Sequence, residues 1–220
     1  MDKTKLEKMD EFFNSRLEGY EEHQLNVIEG AKEFYPYTAS LLPRHKGARI
    51  LDLGCGTGLE LDYYFAYNPK ACVTGIDLAA DMIAVLLKKF AGKNIGAIIA
   101  PYFDVPFGSP YYDAVVAVES MHHLIKPEKV LVYRKAFKVL CKTGYFILTD
   151  YFATSDEEEN AFRQEFVRLK AEQGIDDNEY YQYDTPLTVE HEMEALKEAG
   201  FLWVKLLRRW GATCTIKAVK

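Results

Sequence analysis

Long apolar runs, paired cysteines and an excess of positive charge are all missing from this 220-residue sequence. No run approaches the roughly 20 apolar residues that a membrane-spanning helix needs. The first residues, MDKTKLEKMDEFF, are charged and lack the apolar stretch of a secretory signal. The four cysteines are scattered, without the close spacing of a metal site or a disulfide framework. We therefore expect a cytoplasmic protein with reduced cysteines, no bound metal and no membrane partner.

The charge balance argues against nucleic acid as a partner. Counting 27 basic residues against 33 acidic residues gives a formal net charge of −6. Affinity for nucleic acid comes largely from Lys and Arg side chains that neutralise phosphates, and an acidic chain repels a polyanion. A small-molecule partner is the expectation that remains.

Short apolar runs alternate with helix-like segments through the middle of the chain. The runs are rich in β-branched or aromatic residues and are apolar on both faces, which is typical of parallel strands covered by helices on both sides. Strands that alternate with helices predict a doubly wound α/β sheet with right-handed crossovers. The runs are ARILDL (48–53), ACVTGID (71–77), IGAIIA (95–100), YDAVVAV (112–118) and GYFILTD (144–150).

Other segments surround or interrupt this alternation inside a predicted single domain. Ser155 and Glu158 have the spacing of a capping box, so we expect a helix to begin there. The last two apolar segments predict an antiparallel hairpin that completes a seven-stranded, mostly parallel, Rossmann-like sheet. The four predicted parts are an N-terminal helical cap (1–45), a core (46–151), a helical insertion after strand five (152–187) and a C-terminal helix with the hairpin (188–220).

The run ARILDLGCGTGLELDYY places glycines between a strand and a helix. Such a loop surrounds a small ligand with backbone N–H groups and a helix N-terminus. A dinucleotide site would have G-x-G-x-x-G, whereas the spacing here is Gly54-x-Gly56-x-Gly58, with Leu59 in the place of the third glycine. The carboxylate of Asp52 repels a pyrophosphate and attracts an ammonium or sulfonium group. The loop therefore predicts a cationic ligand, unless Asp52 only caps the turn.

A second acid ends the next predicted strand, in VTGIDLAADM. Asp77 lies roughly 20 residues past the glycines, where an acid accepts hydrogen bonds from ribose hydroxyls. The competing interpretation is that Asp77 caps the helix that begins near Ala79.

Together these residues resemble the class I S-adenosylmethionine-dependent methyltransferases, in particular small-molecule methyltransferases of types 11 and 25. LDLGCGTG is similar to the family's first motif and GIDLAADMI to its second. FDVPFGSPYYDAVVAVESMHHL is similar to the segment from the third strand through the fourth, and LCKTGYFILTDY to that around the fifth. The resemblance covers about residues 48 to 151. It implies an enzyme that transfers a methyl group from S-adenosylmethionine to a small molecule and releases S-adenosylhomocysteine.

The resemblance also implies roles for individual residues. Asp52, Gly54 and Gly56 would hold the methionine part of the cofactor, whose cationic groups explain an acid beside the loop. Asp77 would hold the ribose, and Leu78 would lie against the adenine.

The adenine side departs from the family pattern. The family often has an aspartate after the third strand that accepts from the adenine amine, whereas Pro101 stands here. Adenine would then rest on backbone groups and on the ring of Tyr102 or Phe103. The remaining cofactor candidates are Cys55, Met82 (whose spacing is also that of helix core) and Glu119.

Candidate catalytic residues follow the fourth and fifth strands, because ligands of open parallel sheets lie beyond the carboxyl ends of the strands. Methyl transfer from a sulfonium needs mainly alignment and exclusion of water, and needs a base only when the nucleophile arrives protonated. A histidine titrates near neutrality and suits that role, although a structural role is the competing interpretation. The candidates are Glu119, His122, His123 and Asp150.

Substrate contacts are expected from the cap and the insertion. Tyr20 and His23 lie one helical turn apart and could face one pocket. Tyr180, Tyr181, Tyr183 and Asp184 lie in the insertion, where such enzymes usually choose their substrate. Aromatic rings with an acid suit a cationic or aromatic small molecule, and packing of the insertion is the alternative.

Three other functions stay open at this stage. The chain could be a non-catalytic cofactor-binding subunit that supports a partner. It could modify transfer RNA on the same fold, although its net charge argues against this. An NAD-dependent oxidoreductase is disfavoured by the glycine spacing and by Asp52. A monomer and a homodimer are both compatible with the sequence.

Overall fold

The computed structural model describes residues 5–176 and 179–220, so residues 1–4 of the predicted cap and 177–178 of the predicted insertion lie outside the described residues. Helices and strands alternate through the middle of the chain, as the sequence predicts. In chain order the elements are β1 (Glu7–Lys8), α1 (Met9–Ser15), α2 (Tyr20–Val27), α3 (Ala31–Ser40), β2 (Arg49–Leu53), α4 (Leu59–Tyr67), β3 (Cys72–Asp77), α5 (Ala80–Lys89), β4 (Asn94–Ile99), β5 (Tyr112–Val118), a 3₁₀ turn (Met121–His123), α6 (Lys126–Val139), β6 (Leu140–Tyr151), α7 (Asp156–Gln173), β7 (Tyr181–Gln182), α8 (Val189–Glu198), β8 (Trp203–Trp210) and β9 (Thr213–Val219).

Seven strands form one sheet in the order β4-β3-β2-β5-β6-β9-β8. The pairings from β4 to β6 are parallel, and β9 pairs antiparallel with both β6 and β8. The predicted α/β class, a Rossmann-like sheet with an antiparallel C-terminal hairpin, is therefore confirmed. In the part of the chain that the structure describes, no helix combines the length and apolarity needed to cross a membrane.

Both faces of the central strands β2 and β5 are buried, and neighbouring residues of each strand point to opposite sides of the sheet. In β2, Leu51 packs with the apolar cluster that contains side chains of α6 and α8, whereas Ile50 packs with the cluster that contains α3, α4 and α5. Strand β5 repeats this alternation with Val115 and Val116. Burying such a side chain contributes about 1.5–3 kcal/mol, which explains why these strands appear in the sequence as continuous apolar runs.

The N-terminal segment and the insertion meet in a small two-stranded sheet, in which β1 pairs with β7. The ladder continues past β1, since Met9 N donates to Tyr180 O at 2.9 Å. We call β1, α1 and α2, together with α7 and residues 179–182, the lid. Its two halves come from distant parts of the sequence and are held together by backbone hydrogen bonds.

Helix α7 of the lid begins where the capping box predicts. Ser155 Oγ accepts a hydrogen bond from Glu158 N at 3.2 Å. The carboxylate of Glu158, however, accepts from Thr154 N at 2.6 Å, one residue before the partner that a capping box requires. Of the two hydrogen bonds of the predicted capping box, one is therefore present. At its other end the helix is followed by Gly174 in the left-handed conformation.

The parallel strands bring their carboxyl ends to one edge of the sheet. The glycine loop follows β2, Asp77 ends β3, Glu119 follows β5 and Asp150 lies near the end of β6. The lid lies over this edge and contributes side chains to the cavities there. The candidate residues from four strands are thus brought together by the topology.

Candidate active site

The glycine loop lies tightly against the chain that follows β5. Gly54 has φ +74°, and a Cβ atom there would lie 2.4 Å from Ser120 Cβ and 2.6 Å from the hydroxyl of Tyr102. Gly54 N also donates to Ile76 O at 2.8 Å, which ties the loop to the end of β3. Only glycine meets both the backbone and the spatial requirement at this position.

Asp77 uses both of its carboxylate oxygens on nearby backbone. Oδ2 accepts from Gly56 N at 2.8 Å, and Oδ1 accepts from Ala79 N at 2.9 Å. The capping contact that the sequence left open is therefore present. The side chain also lines the cleft described below, and each carboxylate oxygen can accept a second hydrogen bond. Capping and ribose binding are compatible roles for this residue.

A pair of buried acids lies beside the loop. Asp52 is 1% exposed and Glu60, in the first turn of α4, is 4% exposed. One oxygen of each, Asp52 Oδ2 and Glu60 Oε1, has no hydrogen-bond partner. Burial and the neighbouring Glu60 carboxyl raise the pKa of Asp52 well above its usual value. Glu60 was missed in the sequence analysis, although an acid between Leu59 and Leu61 in an apolar helix is a usable signal.

A cleft of about 710 Å³ adjoins the glycine loop, the chain after β4 and the lid. Asp52 and Cys55, which were predicted to contact the cofactor, are buried and do not line the cleft. The other predicted cofactor residues all line it, and these are Gly54, Gly56, Asp77, Leu78, Met82, Tyr102, Phe103 and Glu119.

Two aromatic rings lie where adenine was expected to stack. The ring of Phe103 is parallel to that of Tyr180, at 9° with centroids 5.5 Å apart, and both line the cleft. Tyr180 belongs to the insertion, so the lid contributes a ring to the wall of the cleft beside Phe103. Sequence reasoning placed Tyr180 among the insertion residues that would select the substrate and did not pair it with Phe103, because the two rings are distant in the chain.

Lys135 of α6 holds the backbone of the segment after β4. Its Nζ donates to Tyr102 O at 2.9 Å, to Phe103 O at 2.5 Å and to Val105 O at 3.1 Å. Three carbonyls that converge on one ammonium fix the path of this segment. The rings of Tyr102 and Phe103 are thereby presented to the cleft.

A second and larger cavity, of about 1610 Å³, lies next to the cleft, and we call it the acceptor cavity. Of the predicted substrate residues, Tyr20, His23 and Asp184 line it. Four residues line both the cleft and the acceptor cavity and therefore mark the junction between them: Phe13, Tyr20, Glu119 and His123.

Tyr181 and Tyr183 do not line the acceptor cavity. Tyr181 pairs in β7 and donates from its hydroxyl to Glu179 Oε2 at 2.9 Å. Tyr183 stacks on Phe166 of α7 with centroids 5.3 Å apart. For these two residues the structure shows packing within the lid, which is the alternative that the sequence left open, and their contact with a substrate stays a prediction.

Asp150 positions the histidine turn after β5. It is 1% exposed, its Oδ2 accepts from Met121 N at 2.7 Å, and its Oδ1 lies 2.5 Å from His122 Nδ1. Burial lowers the pKa of His122, but the charge and hydrogen bond of Asp150, together with the charges of Asp184 and Glu119, outweigh it and raise the pKa to about 9. The charged imidazolium is therefore paired with a carboxylate that does not itself reach either cavity.

Glu119 has the least common backbone conformation in the site. Its φ of 49° is the one positive value at a non-glycine position among the described residues. Burial, followed by the repulsion of Asp150, raises the pKa of the Glu119 carboxyl to about 8. Its Oε1 accepts from Thr213 Oγ1 at 3.2 Å. A strained, half-buried carboxyl at the junction of the two cavities is the clearest catalytic candidate.

Two overlapping trios of side chains hold their donor atoms within 4.8 Å of one another, namely His122 with His123 and Asp184, and Glu119 with His122 and Asp150. The sequence spacing did not indicate either trio. Asp184 Oδ1 lies 3.2 Å from His123 Nδ1 and 3.7 Å from His122 Nε2. Contacts within the protein thus join these groups, and the expectation of no bound metal stays a prediction.

Comparisons with known proteins agree with this geometry. Residues 50–144 match the model of a family described as a methyltransferase domain. Phosphoethanolamine N-methyltransferase of Triticum aestivum is 29% identical over 126 residues, which are 56% of this chain and 24% of that protein. Cycloartenol-C-24-methyltransferase of Arabidopsis thaliana is 30% identical over 195 residues, which are 84% of this chain and 54% of that protein.

Solved structures share the fold across nearly the whole chain. Phosphoethanolamine N-methyltransferase 2 of Haemonchus contortus, solved in complex with S-adenosyl-L-methionine, superposes with a TM-score of 0.71 at 15% identity. The match covers 94% of this chain and 57% of that one. The chain spans between 24% and 58% of the length of the curated relatives it matches.

Proposed function

We propose that this chain, whose residues 50–144 match a methyltransferase-domain family, is a class I S-adenosylmethionine-dependent enzyme that transfers a methyl group from S-adenosylmethionine to a small-molecule acceptor. One observation carries the proposal: the cofactor cleft and the acceptor cavity meet at Glu119, directly beyond the glycine loop. A methyl donor on one side and an acceptor on the other would face each other at this junction.

The residues of the cleft fit the cofactor. Asp77 would accept from the ribose hydroxyls, and the rings of Tyr102 and Phe103 would contact the adenine. The buried acids Asp52 and Glu60 each have an oxygen without a hydrogen-bond partner, and a cationic group bound at the glycine loop would favour their charged forms. When bound, the cofactor supplies a methyl group activated by its sulfonium.

The protein's own contribution is alignment and exclusion of water. The lid covers the reaction edge with Phe13 and Tyr20, which lie in the walls of both cavities. Edge-to-face contacts of Phe13 with Tyr20 and with His123, at 6.5 Å and 5.8 Å between centroids, support the junction. Holding two reactants in line at such a site is the main source of rate enhancement for a displacement at carbon.

The proposal also includes a small-molecule partner and a reducing compartment such as the cytoplasm. The four cysteines are unpaired, and the net charge of −6 argues against a polyanionic substrate. The named relatives methylate different classes of molecule, so their names support methyl transfer more strongly than any one acceptor.

Two measurements on the purified chain test the proposal. Calorimetry with S-adenosylhomocysteine and with NADH should show binding of the first and not of the second. Incubation with methyl-labelled cofactor and separate small-molecule and transfer RNA fractions should place the label in the small molecules. Label in the RNA would favour the modifying enzyme, and binding without any transfer would favour a non-catalytic subunit.

A further inference from the structure

We propose that the methyl acceptor is a small molecule with a basic amine, that the amine nitrogen receives the methyl group, and that Glu119 accepts the proton of that amine. This inference rests on the proposed function, to which it adds the substrate class and the general base.

Glu119 is placed to meet the reacting atom. Its side chain belongs to the walls of both the cofactor cleft and the acceptor cavity, so a group that approaches the cleft from the cavity passes this carboxyl. Its positive φ of 49° is a conformation that glycine would adopt with less strain. Strain of this kind persists mostly where a side chain is needed at one position.

Aromatic rings surround the same junction. Phe13 and Tyr20 line both cavities, and Tyr151 lines the acceptor cavity, where its ring meets that of His122 edge-on at 6.0 Å. The faces of aromatic rings attract cations, most strongly where water is excluded. An acid among such rings favours an ammonium group over a neutral or anionic one.

The cationic groups of the acceptor cavity already have carboxylate partners. Arg16 is the one Lys or Arg in the described wall, and its guanidinium lies 2.9 Å from Glu7 Oε1. His122 lies 2.5 Å from Asp150. Burial and the neighbouring His122 lower the pKa of His123, which disfavours the charged form of this ring. An anionic acceptor would therefore find the one guanidinium of the described wall, that of Arg16, already paired with Glu7.

The proton and electron balance is simple. An ammonium group of the acceptor gives one proton to the Glu119 carboxylate, which frees the lone pair of the nitrogen. That lone pair forms the N–CH₃ bond while the C–S bond breaks and its electron pair stays on sulfur, leaving a neutral thioether. The product is a methylated ammonium, and the proton leaves Glu119 through the acceptor cavity. No oxidant, reductant or metal is required.

The protonation behaviour of Glu119 supports this role. The pKa of about 8 makes its carboxylate a stronger base than an exposed glutamate, and efficient general bases have pKa values near the working pH. The titratable groups that face it are Asp150, His122, Asp184, Tyr20, Tyr35 and Tyr151.

Binding of three probes to the protein saturated with S-adenosylhomocysteine tests the inference. The probes are phenethylamine, 2-phenylethanol and 3-phenylpropionic acid, which share a ring and differ in their polar group. We expect phenethylamine to bind about tenfold tighter than the alcohol, as a cation in a desolvated aromatic site should, and the acid to bind most weakly. Glu119→Gln keeps the shape and should reduce amine binding to the level of the alcohol.

Further variants separate charge, fold and function. Glu119→Asp keeps the carboxylate and should retain part of the preference for the amine, which a merely unfolded variant would not. Glu172→Gln makes the same charge change on the exposed side of α7 and should leave all three affinities unchanged. Equal or tighter binding of the alcohol or the acid, or binding of no probe, overturns the inference alone. Failure of the wild type to bind S-adenosylhomocysteine overturns the proposed function and this inference with it.

Discussion

The carboxylate of Asp77 is bonded to the glycine loop of the neighbouring strand, because its Oδ2 accepts from Gly56 N at 2.8 Å. Its Oδ1 accepts from Ala79 N at 2.9 Å and so holds the start of α5. One side chain thus fixes the loop after β2 and the helix after β3, and it also lines the cleft.

Replacing Asp77 by alanine should weaken binding of S-adenosylhomocysteine by about 1–3 kcal/mol, the usual effect of losing a charged hydrogen-bond acceptor. Both the ribose contact and the position of the loop would be affected. Calorimetry measures the change directly. Asp81→Ala removes an exposed acid four residues later and is the matched control. Unchanged affinity in Asp77→Ala would remove the basis for placing the ribose here.

The fold was predictable because each strand carries its own local signal. The run 112–118 was predicted as a strand and is β5, with the same bounds. Strand β6 instead begins at Leu140, four residues before the predicted start at Gly144. Leu140 pairs with Tyr112, and an irregularity between Tyr112 and Ala114 accommodates the extra residues. The earlier start of β6 depends on its pairing with β5, and the sequence of β6 alone contains no signal for it.

The parts of the site that sequence reasoning missed depend on tertiary contacts. Lys135 binds carbonyls that precede it by 30 to 33 residues, and in the sequence it is only a lysine on a helix. Tyr20 and Tyr183 both belong to aromatic segments, yet one lines both cavities and the other stacks on Phe166. Local composition contains nothing that separates these two outcomes.

The second prediction concerns Gly54. Alanine there would place Cβ 2.4 Å from Ser120 Cβ at a φ of +74°, so the loop would have to move away from the chain after β5. Gly92 has a similar φ of +88° with nothing within 4 Å, so Gly92→Ala adds only the backbone strain of about 1–2 kcal/mol. We expect Gly54→Ala to destabilise more and to abolish detectable S-adenosylhomocysteine binding, as measured by denaturant unfolding and calorimetry. Equal effects of the two variants would show that the close approach is unimportant.

The third prediction concerns the buried ion pair between α6 and α8. Lys129 Nζ lies 2.5 Å from Glu192 Oε2, the side chains are 1% and 0% exposed, and the hydroxyl of Tyr133 donates to the same carboxylate. Glu192→Ala leaves a buried ammonium without its partner and should lower the free energy of unfolding by about 3–5 kcal/mol. The double variant Lys129→Met/Glu192→Leu should recover most of that loss.

A matched control for the buried pair joins the same two helices. Arg134 and Glu198 lie 3.2 Å apart with side chains 47% and 57% exposed. Removing Glu198 should change the free energy of unfolding very little, because exposed pairs contribute little. If the double variant is no more stable than Glu192→Ala, the attraction within the buried pair exceeds the cost of burying its two charges.

The fourth prediction is a pH dependence of stability. The pKa of His122 in the folded protein, about 9, lies above its usual value of 6.5, so folding is favoured by the charged ring. That contribution is complete below about pH 6.5 and is lost as the pH rises through about 9. Asp150, Asp184 and Glu119 face this ring, and Glu119 adds a loss of the same sign, because its pKa is also raised, from 4.5 to about 8.

This dependence is tested by denaturant unfolding at several pH values from about 6 to about 9, a range that contains the pKa values of Glu119 and His122 in the folded protein. Wild-type stability should fall across the window, and His122→Gln should show a smaller fall. His45→Gln, at a side chain that is 60% exposed, should retain the wild-type slope. The same slope in His122→Gln and in the wild type would contradict the assignment.

The last prediction tests whether Lys135 sets the adenine side of the cleft. Its ammonium holds the carbonyls of Tyr102, Phe103 and Val105, and Pro101 leaves this segment without the side-chain acceptor that the family often has. Lys135→Met should weaken binding of adenosine and of S-adenosylhomocysteine in parallel by about tenfold, the equivalent of one net charge-assisted hydrogen bond. Lys135→Arg should restore part of the affinity, whereas Lys138→Met, on the exposed side of the same helix, should have no effect. Adenosine affinity that stays at the wild-type level would mean that the rings of the cleft hold their positions without the lysine.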